Sequence, residues 1–287
     1  MIPQTFEYYA PTSVAEAIGL LVEYGDEAKI LAGGHSLLPA MKLRLAAPSI
    51  LVDINQIAEL RGVVINGSIN IGALTTWHAI EHHSGLKSDC NVLPETVAQI
   101  GDIQVRNRGT LGGALAHADP AADAPAVILA LDGEIRAHGP YGERMIAAAD
   151  FFTDMLSTAL TPNELITAVI CHKLATGEGA AYVKLPHPAS RYAIVGAAAY
   201  VKLRDGKVSA CRVAITGAGP TPSRQIDCEQ ALLGSDGSVD AIAAAAELAG
   251  SQMDVLGDIH ASEEYRRAMV KVYARRALTS ALARAHA

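Results

Sequence analysis

Aromatic side chains make up only 5% of this chain, with one Trp and three Phe, and their spacing builds no platform for stacked bases. The formal net charge of −7 argues further against nucleic acid, because phosphate backbones are held by clustered Lys and Arg. The four cysteines, Cys90, Cys171, Cys211 and Cys228, lie far apart with no CxxC pair. That spacing excludes a Cys-ligated iron–sulfur cluster or zinc knuckle and leaves buried thiols in a reducing cytoplasm as the expectation. No apolar run approaches the ~20 residues of a membrane span. The opening MIPQTFEYYAPTS has neither the basic nor the apolar region of a signal peptide. GxGxxG and GxxxxGK[ST] are both absent. The nearest approach, Gly217-Ala218-Gly219-Pro220, puts Pro where a helix should open, which disfavours a Rossmann fold. Ser36, Ser157 and Ser190 lack the GxSxG elbow of a hydrolase triad.

What is present is a chain of 287 residues, half of them hydrophobic, long enough for two domains with an aliphatic core. Periodicity and capping predict a first helix over residues 12–24, with Glu16 at capping-box distance from Ser13 and Gly25 as the stop. Residues 28–32 read as a strand, 37–43 as a helix, 50–53 as a strand and 63–72 as a hairpin around Asn66-Gly67. Helices are expected over 75–83 and 95–100. Residues 124–130 are apolar and fit a helix or a strand, and 135–138 opens a second hairpin. After a loop-rich stretch from Asp150, a strand over 165–172 leads to three long β segments, 180–185, 193–204 and 207–215, the last two joined by Asp205-Gly206. Ala-rich helices over 239–249 and 263–285 close the chain. The change of pattern places a domain boundary near 174–179, giving units of 1–175 and 176–287.

Two glycine doublets carry the chemistry. Gly33-Gly34 follows a strand and Gly112-Gly113 follows Thr110, with Asp119 and Asp123 shortly after. Glycine permits close backbone approach. Loop amides and the Thr hydroxyl can point at an anion, and a carboxylate suits a sugar hydroxyl. Two such loops facing each other would clamp a pyrophosphate through backbone N–H groups; plain tight turns are the alternative. His78 and His82 have the i, i+4 spacing of a zinc pair, but with no Glu or third ligand read in pattern, solvated helix residues are the preferred reading and no metal is expected. His117 and Asp119 are too close in sequence to be read as a relay without geometry. The basic residues of the last helix read as a solvated face, with docking of an acidic partner as the minor alternative.

LAGGHSLLPAMKLRLAAPSILVDI (residues 31–54) and IGDIQVRNRGTLGGALAHADPAAD (residues 100–123) resemble the signature loops of the FAD-binding medium subunit of molybdenum hydroxylases, the carbon monoxide dehydrogenase and xanthine dehydrogenase family. The ending SEEYRRAMVKVYARRAL (residues 262–278) is similar to the family's C-terminal flavoprotein domain, so the resemblance spans the whole chain. It implies an α+β fold. A two-subdomain FAD-binding domain of the vanillyl-alcohol oxidase (PCMH) type would be followed by a small α+β flavoprotein domain.

The resemblance also implies a site. Ala32, Gly33, Gly34, His35, Ser36 and Leu37 match the first pyrophosphate loop, and Thr110, Gly112, Gly113 and Ala114 match the second. Ala114 stands where relatives often carry a polar side chain. Asp123 matches an acid that bonds the adenosine ribose, and Leu165 or Ile166 an aliphatic residue near the flavin or adenine. Lys184 matches a cation near the isoalloxazine edge, and Tyr192 a residue beside the ring. No side chain is assigned as acid, base or nucleophile, because the cofactor carries the chemistry. The implied role is electron transfer by non-covalent FAD. Electrons would come from two [2Fe–2S] clusters of a small subunit, fed by a large molybdenum–pterin subunit, in a dimer of heterotrimers. A free-standing FAD oxidase, a non-catalytic FAD-loaded assembly subunit and a nicotinamide-using member are the alternatives; the substrate and the electron acceptor stay open.

Overall fold

The computed structural model describes residues 2–287. A small parallel sheet comes first, with Ile50–Asp53 between Glu7–Tyr9 and Ala28–Leu31. Helix Val14–Tyr24 packs its Val14, Ala17, Ile18 and Leu21 face onto this sheet. Its start departs from the expected capping box: Ser13 accepts from the Glu16 amide at 3.2 Å, but Glu16 reaches back to the amide of Thr12 at 2.8 Å. Gly25, at φ +51°, ends the helix in a conformation that costs a glycine little.

A five-stranded antiparallel sheet follows, in the order Val63–Asn66, Ser68–Gly72, Leu165–His172, Glu134–Gly139, Gly142–Ala147. The 92 residues between its second and third strands in sheet order, 73–164, hold most of the helices and the second hairpin, so Leu165–His172 returns to the sheet centre from far along the sequence. The segment 124–130 proves to be helical, within Asp123–Ala130, and every residue of that helix is buried. A helix that is apolar all round carries no periodic signal, which is why its residues fitted a strand equally well. The expected helix over 95–100 runs instead over Val92–Val97, with Pro94 in its first turn, where a missing N–H does no harm. Residues 75–83 shorten to Trp77–His82, capped by Thr76 at 3.2 Å.

The C-terminal sheet is Glu178–Pro186, Ala193–Arg204, Lys207–Thr216 and the short Ser223–Arg224, in that order. Ala180, Tyr182, Ala198, Tyr200 and Ala214 join the core of the five-stranded sheet and helix Asp123–Ala130. Their neighbours Ala181, Val195, Ala197, Ala199, Val213 and Ile215 face helices Val239–Glu247 and Glu263–Ala285. Coverage on both faces explains the near-continuous apolar run of the middle strand, since period-two alternation needs one wet face. Residues 173–177 connect strand Leu165–His172 of the five-stranded sheet to strand Glu178–Pro186 of the C-terminal sheet. Across this connection, Thr216 Oγ1 donates to Pro120 or Ala122 at 2.8 Å, and the amides of Gly217 and Ala193 donate to Pro120 and Ala121. The second unit thus grips the segment that leads into Asp123. Among the described residues no helix is long and apolar enough to cross a membrane.

Candidate functional site

A cleft of about 620 Å³ is walled by residues 32–37, 109–110, 112–114, 122–124, 164–166 and 190–192. Its volume sits within the ~300–1,000 Å³ typical of ligand and cofactor sites. Both ends of the expected site therefore open onto one space.

The first loop connects strand Ala28–Leu31 to helix Leu37–Lys42. Among the described residues the five amides of 33–37 find no hydrogen-bond acceptor, whereas the carbonyls of Gly34 and Ser36 accept from Leu38 and Ala40. Gly34 sits at φ +77°, and a Cβ on Gly33 would run into the Arg108 carbonyl. The glycines therefore let the loop turn and lie against the backbone of 108–109, leaving its donors free on a half-buried surface. Consecutive unpaired N–H groups form a concavity for an anion.

The second doublet departs from expectation. Gly112 and Gly113 lie inside the first turn of helix Leu111–His117, and its amides are already satisfied. Leu111 donates to Thr75 O at 3.1 Å, Gly112 to Ala73 O at 2.9 Å, Gly113 to Thr110 Oγ1 at 3.2 Å and Ala114 to Thr110 O at 3.1 Å. The two-sided clamp of amides is corrected to a one-sided one. Gly112 serves packing, since its Cβ would stand 2.5 Å from that of Ala73. Thr110 Oγ1 accepts from Gly113 and, among the described residues, donates to no protein atom, which leaves its hydroxyl free to donate into the cleft it lines. Ala114 lines the same wall.

Asp123 begins helix Asp123–Ala130 at the cleft wall and is 5% exposed. Its Oδ1 accepts the Tyr182 hydroxyl and its Oδ2 pairs with Lys184 Nζ at 2.7 Å. Burial pushes the Asp123 carboxyl above the ordinary carboxylate range, against the pull of Lys184 and Tyr182. The Tyr182 phenol is driven well up by burial and by Asp123, so it stays a neutral donor. Lys184 does not line the cleft. Its side chain is 3% exposed, and its ammonium is spent on Asp123, the Gln99 carbonyl at 3.1 Å and the Arg191 carbonyl at 2.6 Å. It sits behind the wall, bonded to the Asp123 carboxylate and to the carbonyl of Arg191 in the 187–192 turn, both of which residues line the cleft.

That turn carries Tyr192, 43% exposed, onto the cleft rim. Partial burial, with Asp119 and Asp123 nearby, raises its phenol pKa. Leu165 and Ile166, both almost fully buried, enter the wall at the start of strand Leu165–His172. A register shift between Ile166 and Ala168 re-aims them there, as bulges do beside sites. Sequence reasoning missed Ile54, Leu74, Trp77, Leu156, Leu160 and Arg191, which also line the cleft. Only Trp77 had a usable signal, as the chain's single Trp beside a cap residue.

The residues present fit FAD. A nest of free amides suits a pyrophosphate, an aliphatic wall and Tyr192 suit a planar ring, and the Asp123 carboxylate lines the same cleft. Outside the cleft, the expectation that His78 and His82 have no partner in pattern is corrected. Glu81 stands with them, the three ligand atoms all within 4.8 Å of one another.

Comparison with known proteins agrees over the whole chain. Residues 4–171 match the family described as the FAD binding domain in molybdopterin dehydrogenase, and residues 180–281 the carbon monoxide dehydrogenase flavoprotein C-terminal domain. The chain is 40% identical over 285 residues to the carbon monoxide dehydrogenase medium chain of Hydrogenophaga pseudoflava, covering 99% of each. It is 39% identical over 287 residues to the 6-hydroxypseudooxynicotine dehydrogenase complex subunit alpha of Paenarthrobacter nicotinovorans, covering 99% of this chain and 97% of that one. Among solved structures, the carbon monoxide dehydrogenase of H. pseudoflava lacking the Mo-pyranopterin moiety superposes with a TM-score of 0.96 at 41% identity, covering 99% of each chain. A two-domain α+β chain with an amide-lined cleft, matched end to end in this way, belongs to the FAD-binding medium chains of carbon monoxide dehydrogenase-like molybdenum hydroxylases, an oxidoreductase family whose cofactor here is FAD.

Proposed function

We propose that this chain is the electron-transfer subunit of a heteromeric molybdenum hydroxylase, set between the [2Fe–2S] clusters of a small partner subunit and an external acceptor. A large molybdenum–pterin subunit would feed those clusters, in a dimer of heterotrimers within the cytoplasm. The four buried, unpaired cysteines suit that reducing compartment. The observation that carries the reading is the cleft of free amides and aliphatic wall in a chain whose full-length relatives are named as chains or subunits of dehydrogenase complexes.

Bound non-covalently, FAD supplies one- and two-electron redox chemistry. The chain's own residues do the rest. The amides of 33–37 and the Thr110 hydroxyl hold the pyrophosphate, neutral dipoles sufficing where no Lys approaches. Asp123 keeps lone pairs beyond those taken by Lys184 and Tyr182 and offers them to a sugar hydroxyl. Lys184 acts through Asp123 and the Arg191 carbonyl, fixing the turn that brings Tyr192 to the rim. Leu165 and Ile166 keep water from the apolar wall. The two relatives compared above are named for unrelated substrates, so substrate choice belongs to the molybdenum subunit. A free-standing oxidase is not favoured for the same reason.

The test mixes the FAD-loaded chain anaerobically with its chemically pre-reduced [2Fe–2S] partner subunit. The expected result is bleaching of the flavin band, restored by an added acceptor. A flavin that stays oxidised with the partner, yet turns over an organic substrate without it, would overturn the proposal.

A further inference from the structure

We propose that His78, Glu81 and His82 form a binding site for a divalent transition cation of the zinc or nickel class, separate from the cofactor cleft. The sequence His78-Ala79-Ile80-Glu81-His82 puts donors at i, i+3 and i+4, which a helix brings to one face. Trp77 and Ile80, at 4% and 1% exposure, bury the opposite face, so helix Trp77–His82 cannot rotate its donors away.

Three features go beyond spacing. The three ligand atoms lie within 4.8 Å of one another, and His78 and Glu81 are only half-exposed. A cation at ~2.0–2.2 Å from each donor holds donor pairs up to about 4 Å apart, so small rotamer adjustments complete the set. His82 is oriented as metal-bound imidazoles are. Its Nδ1 lies 2.9 Å from the His78 carbonyl, which makes Nδ1 the N–H and leaves the Nε2 lone pair outward. The carboxylate is oriented too: Arg106 Nε donates to Glu81 Oε2 at 2.8 Å and leaves Oε1 without a partner among the described residues. His78 Nδ1 is shielded from water and has no hydrogen-bond partner among the described residues, an unusual state for a buried imidazole nitrogen. The two rings lie side by side with centroids 4.3 Å apart.

The pattern H-x-x-E-H also occurs in metallohydrolases, where the Glu serves as base. Here Arg106 engages Glu81, so the site holds a cation rather than activating water. Arg106 also donates to the Ile100 carbonyl at 3.1 Å, and Trp77 lines the cleft, so a bound ion would brace one wall of the cofactor site. The assignment itself does not depend on the flavin.

The experiment titrates zinc alone, then nickel alone, into the tag-free full-length chain by calorimetry, with cobalt absorption as a second readout. Wild type should bind one equivalent saturably, and cobalt should show the ligand-field bands of imidazole coordination. His78→Gln with His82→Gln should abolish both while leaving the circular dichroism unchanged. If that pair fails to fold, His82→Gln alone, at an exposed position, serves instead. No saturable binding by wild type, or equal binding by a folded variant, overturns the proposal.

Discussion

Replacing Lys184 by Met isolates the buried ion pair behind the cofactor cleft. The two charged side chains are 3% and 5% exposed and 2.7 Å apart, so solvent screening reduces their interaction little. Removing one partner of a buried pair costs about 3–5 kcal/mol, because the other charge is left uncompensated. The Gln99 and Arg191 carbonyls lose a donor at the same time. Two features limit the loss. Tyr182 still donates to Asp123, and burial already pushes the Asp123 carboxyl towards its protonated form, which it would adopt without Lys184. The expected destabilisation is therefore near the lower end, about 3 kcal/mol. Changing both residues, Lys184→Met with Asp123→Leu, removes the orphaned charge and should recover most of it, since apolar replacement of a buried pair is often nearly neutral. Urea unfolding of the flavin-free chain, run as a double-mutant cycle, measures both quantities and separates them from any loss of cofactor. A single variant within about 1 kcal/mol of wild type, or a double variant whose cost equals the sum of the singles, would refute the reasoning.

Gly33→Ala should keep the fold but lower the flavin-to-protein ratio, because its Cβ meets the Arg108 carbonyl; overpacking of about 1–3 kcal/mol corresponds to roughly 5- to 150-fold in Kd for FAD. Gly112→Val should act on stability first, lowering the unfolding midpoint of the flavin-free chain by about 1–3 kcal/mol or more through its collision with Ala73, and an unchanged midpoint would contradict the packing role. Glu164, held below the ordinary carboxylate range by its bonds to Arg144, contributes stability that is present above the unfolded carboxylate pKa and lost as pH falls through the lower folded value. Arg144 is 44% exposed, so the gain over Arg144→Met should be under about 1 kcal/mol at neutral pH and vanish in acid; a gap that persists in acid would contradict the pairing.

Local signals carried much of the fold. Strands Ile50–Asp53 and Leu165–His172 and helix Glu263–Ala285 follow the boundaries read from the sequence, because each has one apolar stripe or run and clear stops. Helices Ile103–Arg108 and Leu111–His117 were missed within a stretch read as an anion-binding loop. Their short length gives propensities little weight, the second carries two glycines in its first turn, and tertiary bonds to Ala73 and Thr75 hold it. The cofactor was legible through motif resemblance, but the division of labour between the loops was not. Whether an amide is free depends on the strand that happens to lie against it. Lys184 likewise reads as a cation near the site, and only the fold reveals that Asp123 and two carbonyls occupy its protons. Glu81 was passed over because it lies next to His82 rather than one residue after His78; the helix brings it beside both rings.

The central claim is that this chain carries FAD, non-covalently, in the amide-lined cleft. The visible absorption spectrum of the purified chain, recorded before and after acid precipitation, tests it most directly. The account predicts a yellow protein that releases FAD into the supernatant. A colourless chain that also fails to take up added FAD would contradict it, as would colour that stays with the precipitate.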